Sequence, residues 1–271
     1  MGYWKKRWQS QNRTVIIEDK YHSRKMMPKN PLIREKRSPR TGRATKESQE
    51  RINLRHRTEK YSRLIIDNFR VGDWWVTFKL TKNVSLDTFK KAYSRMLRDM
   101  RTFYQKHGHD LKYLAVHENL NGRGRLHGHI LIPALPGVPF SQMKRMMEKA
   151  WKLGDCHFKP YEGSTMDAIR IAGYMTKEDI INTKLNEKAR ALAEGREVKN
   201  LDAEIVAQRS RICPSKNLIR TEAIKKPIRT AETYRDEIKA PKGYHVVKEL
   251  SYNGWTEDGF SYQHAVYEKD G

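Results

Sequence analysis

The sequence predicts an α+β fold: a central antiparallel sheet of about five strands with helices packed on it, preceded by a flexible basic arm. Three observations lead there. Strand-like alternation and helix-like periodicity interleave between residues 48 and 180, in the order helix, strand, helix, strand, strand, helix, strand, helix. Two of those strands, Leu114–Glu118 and Leu126–Ile132, flank Asn121-Gly122 and Gly124, which supply the chemistry of an antiparallel turn. Residues 1–47 instead mix Lys and Arg with Ser, Thr and Pro and hold no sustained period, so they read as a disordered arm.

Taken in order, the elements have these grounds. In the arm, Tyr3, Trp4 and Trp8 sit among basic residues and could stack on bases. Ser48 caps a helix that runs to Asn68, with Ile52, Leu54, Tyr61, Leu64 and Ile65 as a partial apolar stripe. Gly72-Asp73 breaks the chain before a strand over 74–81, where Trp74, Val76, Phe78 and Leu80 share one face and Trp75, Thr77, Lys79 and Thr81 the other. Ser85 opens the clearest helix, lined by Phe89, Tyr93, Met96, Leu97, Met100, Phe103 and Tyr104 and ended near Gly108. The two hairpin strands stop at a Pro-rich stretch, 133–139. A short helix over 141–152, a strand at Cys156–Lys159 and a helix opened by Ser164 follow. Helices placed in this order are expected mainly on one side of the sheet.

Residues 184–207 look helical and exposed. Two strands, 244–250 and 260–267, around the turn-rich 253–259 predict a C-terminal hairpin. The expected organisation is an arm over 1–47, a folded domain over 48–225 and an extension over 226–271.

The charge narrows the partners. The net charge of +23 and a pI near 10.0 favour polyanions. Residues 1–70 carry 20 Lys and Arg against 7 Asp and Glu, so most of the excess lies ahead of the hairpin. Two cysteines, Cys156 and Cys213, make no disulfide framework and point to a reducing cytosol, hence a cytoplasmic location. No apolar run has the length of a membrane span and no phosphate-binding Gly-Lys-Ser/Thr loop occurs, so neither a membrane partner nor a helicase motor is expected.

The chemistry concentrates in the hairpin. His127 and His129 are two residues apart in a strand, so both imidazoles reach one point, and Glu118 can lie across from them. One carboxylate and two imidazoles with positions left open suit a divalent cation. Downstream, Tyr174 and Lys177 share a helix face. Histidines at this spacing are also what an exposed polar face carries, and Tyr174 also fits a buried aromatic beside Ile171 and Ala168. Tyr161 is the second candidate phenol. His107-Gly108-His109 has the same spacing but reads as loop, and His117 faces away from Glu118.

Together these residues resemble the HUH endonucleases, specifically the single-tyrosine rolling-circle replication initiators of filamentous phages and plasmids, over about residues 68–219. The resemblance implies an RRM-like core with a five-stranded sheet, of which the strand at Val76–Thr81 is the first motif. It implies Glu118, His127 and His129 on Mg²⁺ or Mn²⁺, and Tyr174 attacking single-stranded origin DNA to leave a 5′-phosphotyrosine. Lys177 would stabilise the phenolate or the phosphate, and a host helicase and DNA polymerase would be partners. Arg123, Arg125, Lys79 and Lys82 are candidate phosphate contacts, though exposed turn charges explain them equally well. Ser215-x-Asn217-Leu218 resembles a segment that follows the catalytic helix in the phage-like initiators. Gly128 departs from the family, which places a bulky apolar residue there; a glycine predicts weaker packing or a bulge. A transposase or relaxase of the same superfamily is the near alternative, and a non-haem iron oxygenase or a non-catalytic nucleic-acid-binding module the distant ones.

Overall fold

A computed structural model describes residues 3–22, 47–119, 126–176, 195, 210–228, 237–255 and 261–270. In chain order the elements are β1 (Tyr3–Gln9), β2 (Val15–His22), α1 (Glu47–Asn68), β3 (Trp74–Phe78), α2 (Leu86–Lys106), β4 (Leu114–Glu118), β5 (His127–Ile132), α3 (Phe140–Ala150), β6 (Cys156–Pro160), α4 (Thr165–Thr176), β7 (Ser210–Pro214), β8 (Ile224–Ile228), β9 (Tyr244–Val246), β10 (Tyr252–Trp255) and β11 (Ser261–Lys269). The chain divides into two units, Ala44–Ile219 and a second made of Met1–Arg43 with Arg220–Gly271. The fold is α+β, built on two antiparallel sheets.

In the first unit the five strands run β6-β3-β5-β4-β7. Alternation assigns their faces. Val76, Phe78, Ala115, Ile130 and Ile132 turn to one side, where α2 brings Phe89, Tyr93, Met96, Met100 and Tyr104, and α3 brings Met143 and Met147. Nearly all of these are fully buried, each stabilising the fold by about 1.5–3 kcal/mol for a large side chain. Ser85 caps α2 by accepting from the Thr88 backbone N–H at 3.2 Å. Gly154 lies against the Lys79–Thr81 backbone, where a Cβ would stand 2.3 Å from the Lys79 carbonyl oxygen; only glycine permits that approach.

The opposite face of the sheet carries α4, with α1 packed on α4 through a 2.8 Å hydrogen bond between the Thr58 and Thr176 hydroxyls. Helices therefore cover both faces, and the expectation of one side is corrected. A periodic pattern shows that a helix has an apolar stripe; it does not show which face of the sheet that stripe meets.

The fifth strand, β7, pairs antiparallel with β4 at the edge of the sheet. Its sequence, Ser-Arg-Ile-Cys-Pro, is too short and too mixed to announce a strand, and its proline is tolerated because the strand is an edge. Beyond it, Ser215 and Asn217 fasten the chain to the entry of β4. The Tyr113 N–H donates to Ser215 Oγ at 3.1 Å, Asn217 Nδ2 donates to the Leu111 carbonyl at 3.1 Å, and Leu218 is buried.

The second unit corrects the arm. Residues 3–22 form a β-hairpin inside a six-stranded sheet ordered β10-β11-β2-β1-β8, with β9 pairing on β11. Trp8, Ile16 and Ile17 are buried there, and β2 pairs along its length with β11. The partners of the hairpin lie at the far end of the sequence, so no local pattern reveals them. β8 straddles the boundary expected between 225 and 226 and belongs wholly to this unit, which begins again at Arg220. The C-terminal hairpin exists but is shifted: β10 runs through the expected turn and pairs with β11, while Lys248–Leu250 is a short 3-10 turn. Residues 23–46 of the expected arm and, apart from Gly195, the helix expected over 184–207 lie outside the described residues. No helix among the described residues is long and apolar enough to cross a membrane.

Candidate metal centre

The hairpin register decides what the site contains. β4 and β5 pair Glu118 with His127 and Val116 with His129, while β3 and β5 pair Thr77 with His129. Because i and i+2 share a face, both imidazoles and the carboxylate emerge on the side covered by α4. His127 Nε2 lies 2.8 Å from Glu118 Oε2. One ligand atom each from Glu118, His127 and His129 lie within 4.8 Å of one another. Glu118 and His129 are buried, so the carboxylate is held by partners rather than by water.

Each imidazole is aimed. His129 Nδ1 meets Thr77 Oγ1 at 2.9 Å, and the tautomer that donates to Thr77 leaves its lone pair on Nε2. Trp75 stacks flat on the His129 ring, with centroids 5.2 Å apart and planes 7° apart. Both partners come from β3, two residues apart on one face. The alternation of that strand puts Trp75 and Thr77 together, but their role depends on the β3–β5 register, which the sequence does not display.

Tyr174 reaches the same point from α4. Its hydroxyl is 2.9 Å from His129 Nε2, and its ring stands edge-on to Trp75 at 6.2 Å. The residue is 45% exposed, so a large substrate has access to it. Burial, with the Glu118 carboxylate adding to it, pushes the phenol up to about 12, which keeps it protonated at neutral pH.

The structure thus gathers Glu118, His127, His129 and Tyr174 at one place. Tyr161, the other candidate phenol, is buried in the core. His107 ends α2, with Nδ1 against the Phe103 carbonyl oxygen at 2.8 Å. His117 points to the opposite face of the sheet, its ring edge-on to Tyr93 at 4.2 Å. Lys79 and Lys82 are exposed on the segment leaving β3. Lys177, Arg123 and Arg125 lie outside the described residues.

Gly128 causes no bulge: it pairs in register with Phe78 of β3, where that ladder ends, and the β4 ladder runs through it from His129 to His127. Phe89 and His117 fill the space a bulky residue would take: a Cβ on Gly128 would meet the Phe89 ring at 3.6 Å and the His117 ring at 3.5 Å.

Residues 73–179 match the family model described as Replication-associated protein ORF2/G2P. The matched segment runs from β3 through α4 and holds every side chain of the site. The match supports a part in DNA replication, as a replication initiator-like protein. Neither a curated protein nor a solved structure matches the chain.

The donor set fits a divalent cation. It offers one anionic oxygen and two neutral imidazole nitrogens, with His129 oriented from behind by Thr77 as metal-bound histidines usually are.

Proposed function

We propose that the chain is a rolling-circle replication initiator that nicks and rejoins single-stranded origin DNA through Tyr174. The observation that carries this reading is the placement of the Tyr174 phenol beside the group formed by Glu118, His127 and His129. In the reaction the Tyr174 oxygen attacks a backbone phosphorus, the bond from phosphorus to the 3′ oxygen breaks, and the phenol proton is given up as the 3′ oxygen gains one. The resemblance supplies that polarity, with a 5′-phosphotyrosine and a free 3′-hydroxyl. Mg²⁺ or Mn²⁺ held by Glu118, His127 and His129 would supply Lewis-acid polarisation of the phosphate. Thr77 and Trp75 fix the His129 ring, and α4 presents the phenol. Lys177, three residues on in the sequence, would stabilise negative charge on phenolate or phosphate, with Arg123, Arg125, Lys79 and Lys82 gripping the strand. Host helicase and polymerase would complete replication.

A transposase or relaxase would use the same chemistry on other substrates. A carboxylate with two imidazoles also suits Fe(II) in a non-haem oxygenase, but an exposed phenol on one of the imidazoles and the replication-family match favour the nuclease.

The test is incubation of single-stranded oligonucleotides spanning the origin with the protein and Mn²⁺ or Mg²⁺, followed by a denaturing gel. An adduct that disappears in Tyr174→Phe and with chelator supports the reading. Binding to the true origin without any cleavage would favour a non-catalytic binding module.

A further inference from the structure

The sheet of the second unit carries a surface that the proposed nicking reaction does not use. On one side the register sets Pro227, Trp4, Tyr21 and Tyr262 in a row across β8, β1, β2 and β11. The next row on that side begins Lys225, Lys6, Asp19. Lys225 Nζ stands 4.6 Å from the Trp4 ring centroid and 5.4 Å from that of Tyr21, so the aromatic row and the basic row touch. Trp4 and Tyr21 are part-exposed, while Lys225 and Pro227, on the edge strand, are exposed.

Charge marks the same strands. Lys6 faces Lys225 directly, and on the reverse side Lys5 faces both Lys226 and Lys20. Directly opposed like charges weaken a sheet. Glu18 and Asp19 answer them in part, with Lys5–Glu18 and Lys20–Glu18 at 3.6 Å and Lys6–Asp19 at 3.9 Å. The second unit as a whole has 22 Lys and Arg against 12 Asp and Glu, a net of +10. Folding alone does not call for lysines set against lysines beside part-exposed aromatic rings. A bound polyanion does, because its phosphates neutralise the lysines and release counterions. The aromatic row selects the kind of polyanion. Unpaired bases can stack on it, whereas the bases of a duplex are stacked on one another and present only their edges.

We infer that the β8–β1–β2 face is a second nucleic-acid surface that takes single-stranded DNA, with bases on Trp4 and Tyr21 and phosphates on Lys6 and Lys225. The choice of DNA over RNA rests on the nicking reading; the single-stranded preference does not. Such a surface would hold the strand independently of the metal centre.

The experiment measures fluorescence anisotropy of labelled oligo-dT, oligo-U and a duplex of equal length with the full chain, in chelator so that the metal centre adds nothing. Wild type is expected to bind oligo-dT at least about tenfold more tightly than the duplex, since each stacked base is worth a factor of that order. Trp4→Ala should weaken oligo-dT binding by about tenfold. Lys225→Ala should lower the salt slope by about 0.7, one single-strand phosphate contact. Should Trp4→Ala melt early, Lys225→Glu, on an exposed edge position, decides alone. Wild-type binding by Lys225→Glu, equal affinity for the duplex, or preference for oligo-U overturns the inference. The two readings fail separately: loss of the covalent adduct with oligo-dT binding intact removes the nicking reading and leaves this surface standing.

Discussion

The hydroxyl of Tyr174 and Nε2 of His129, forty-five residues apart in sequence, meet at 2.9 Å on the face of the sheet that α4 covers. That nitrogen is also the atom His129 would offer a cation, and a lone pair serves one partner at a time.

Cation binding should therefore release Tyr174 from His129. Titration of Mn²⁺ or Mg²⁺ is expected to give a tyrosine ultraviolet difference signal that saturates with the cation and is absent in Tyr174→Phe. The Phe variant should keep its melting temperature within the effect of one hydrogen bond, about 0.5–1.5 kcal/mol. A signal of equal size in the Phe variant would place the responding chromophore elsewhere.

Thr77 acts behind the metal ligands. Thr77→Val keeps the shape but removes the oxygen that fixes His129 Nδ1, and such a loss typically weakens metal affinity by about 10–100-fold. Thr77→Ser should restore it. Calorimetric titration of the three proteins checks the order, and equal affinities for Val and wild type would remove Thr77 from the account.

His117 predicts acid lability. Burial, with the Arg211 guanidinium adding to it, holds its imidazole down to about 4, below the 6.5 of an exposed histidine. Between those values the unfolded chain binds a proton that the folded chain refuses, so stability falls as pH drops from about 6.5 towards 4. The full window is worth about 3 kcal/mol. Denaturant melts of wild type and His117→Phe across that range should diverge, wild type losing more. Parallel curves would show that His117 is not the sensor.

Gly128 separates size from backbone need. Its added Cβ would make ordinary contacts, so Gly128→Ala should be tolerated to within about 1 kcal/mol. Gly128→Leu must displace Phe89 or His117 and should cost about 1–3 kcal/mol or more. Chemical melts of the two variants read the difference, and an equally stable Leu variant would mean the aromatic cluster yields freely.

Much of the first unit was legible because its signals are local. The alternation of Trp74–Phe78, the stripe from Phe89 to Tyr104 and the Ser85 cap each announce themselves within a few residues, and the observed elements follow them closely. Glu118, His127 and His129 could be grouped because the hairpin that joins them is also local. What stayed hidden depends on distant partners. Thr77 and Trp75 gain their place only through the β3–β5 register, β7 only through its pairing with β4, and β1 and β2 only through strands near the other end of the sequence. Lysines in those first strands lower their apolar content and mimic a solvated tail, although Trp8, Ile16 and Ile17 anchor them in a core.

That last arrangement has a consequence for biosynthesis. The β1–β2 hairpin emerges from the ribosome early, but its neighbours β8 and β11 are translated only after the whole of Ala44–Ile219. The nested unit can finish its own sheet during translation, while the first two strands must wait with bare edges, a state prone to aggregation or to exchange between nascent chains. Early termination anywhere before β11 would thus strand the leading hairpin, and translation pauses late in the message would prolong its exposure.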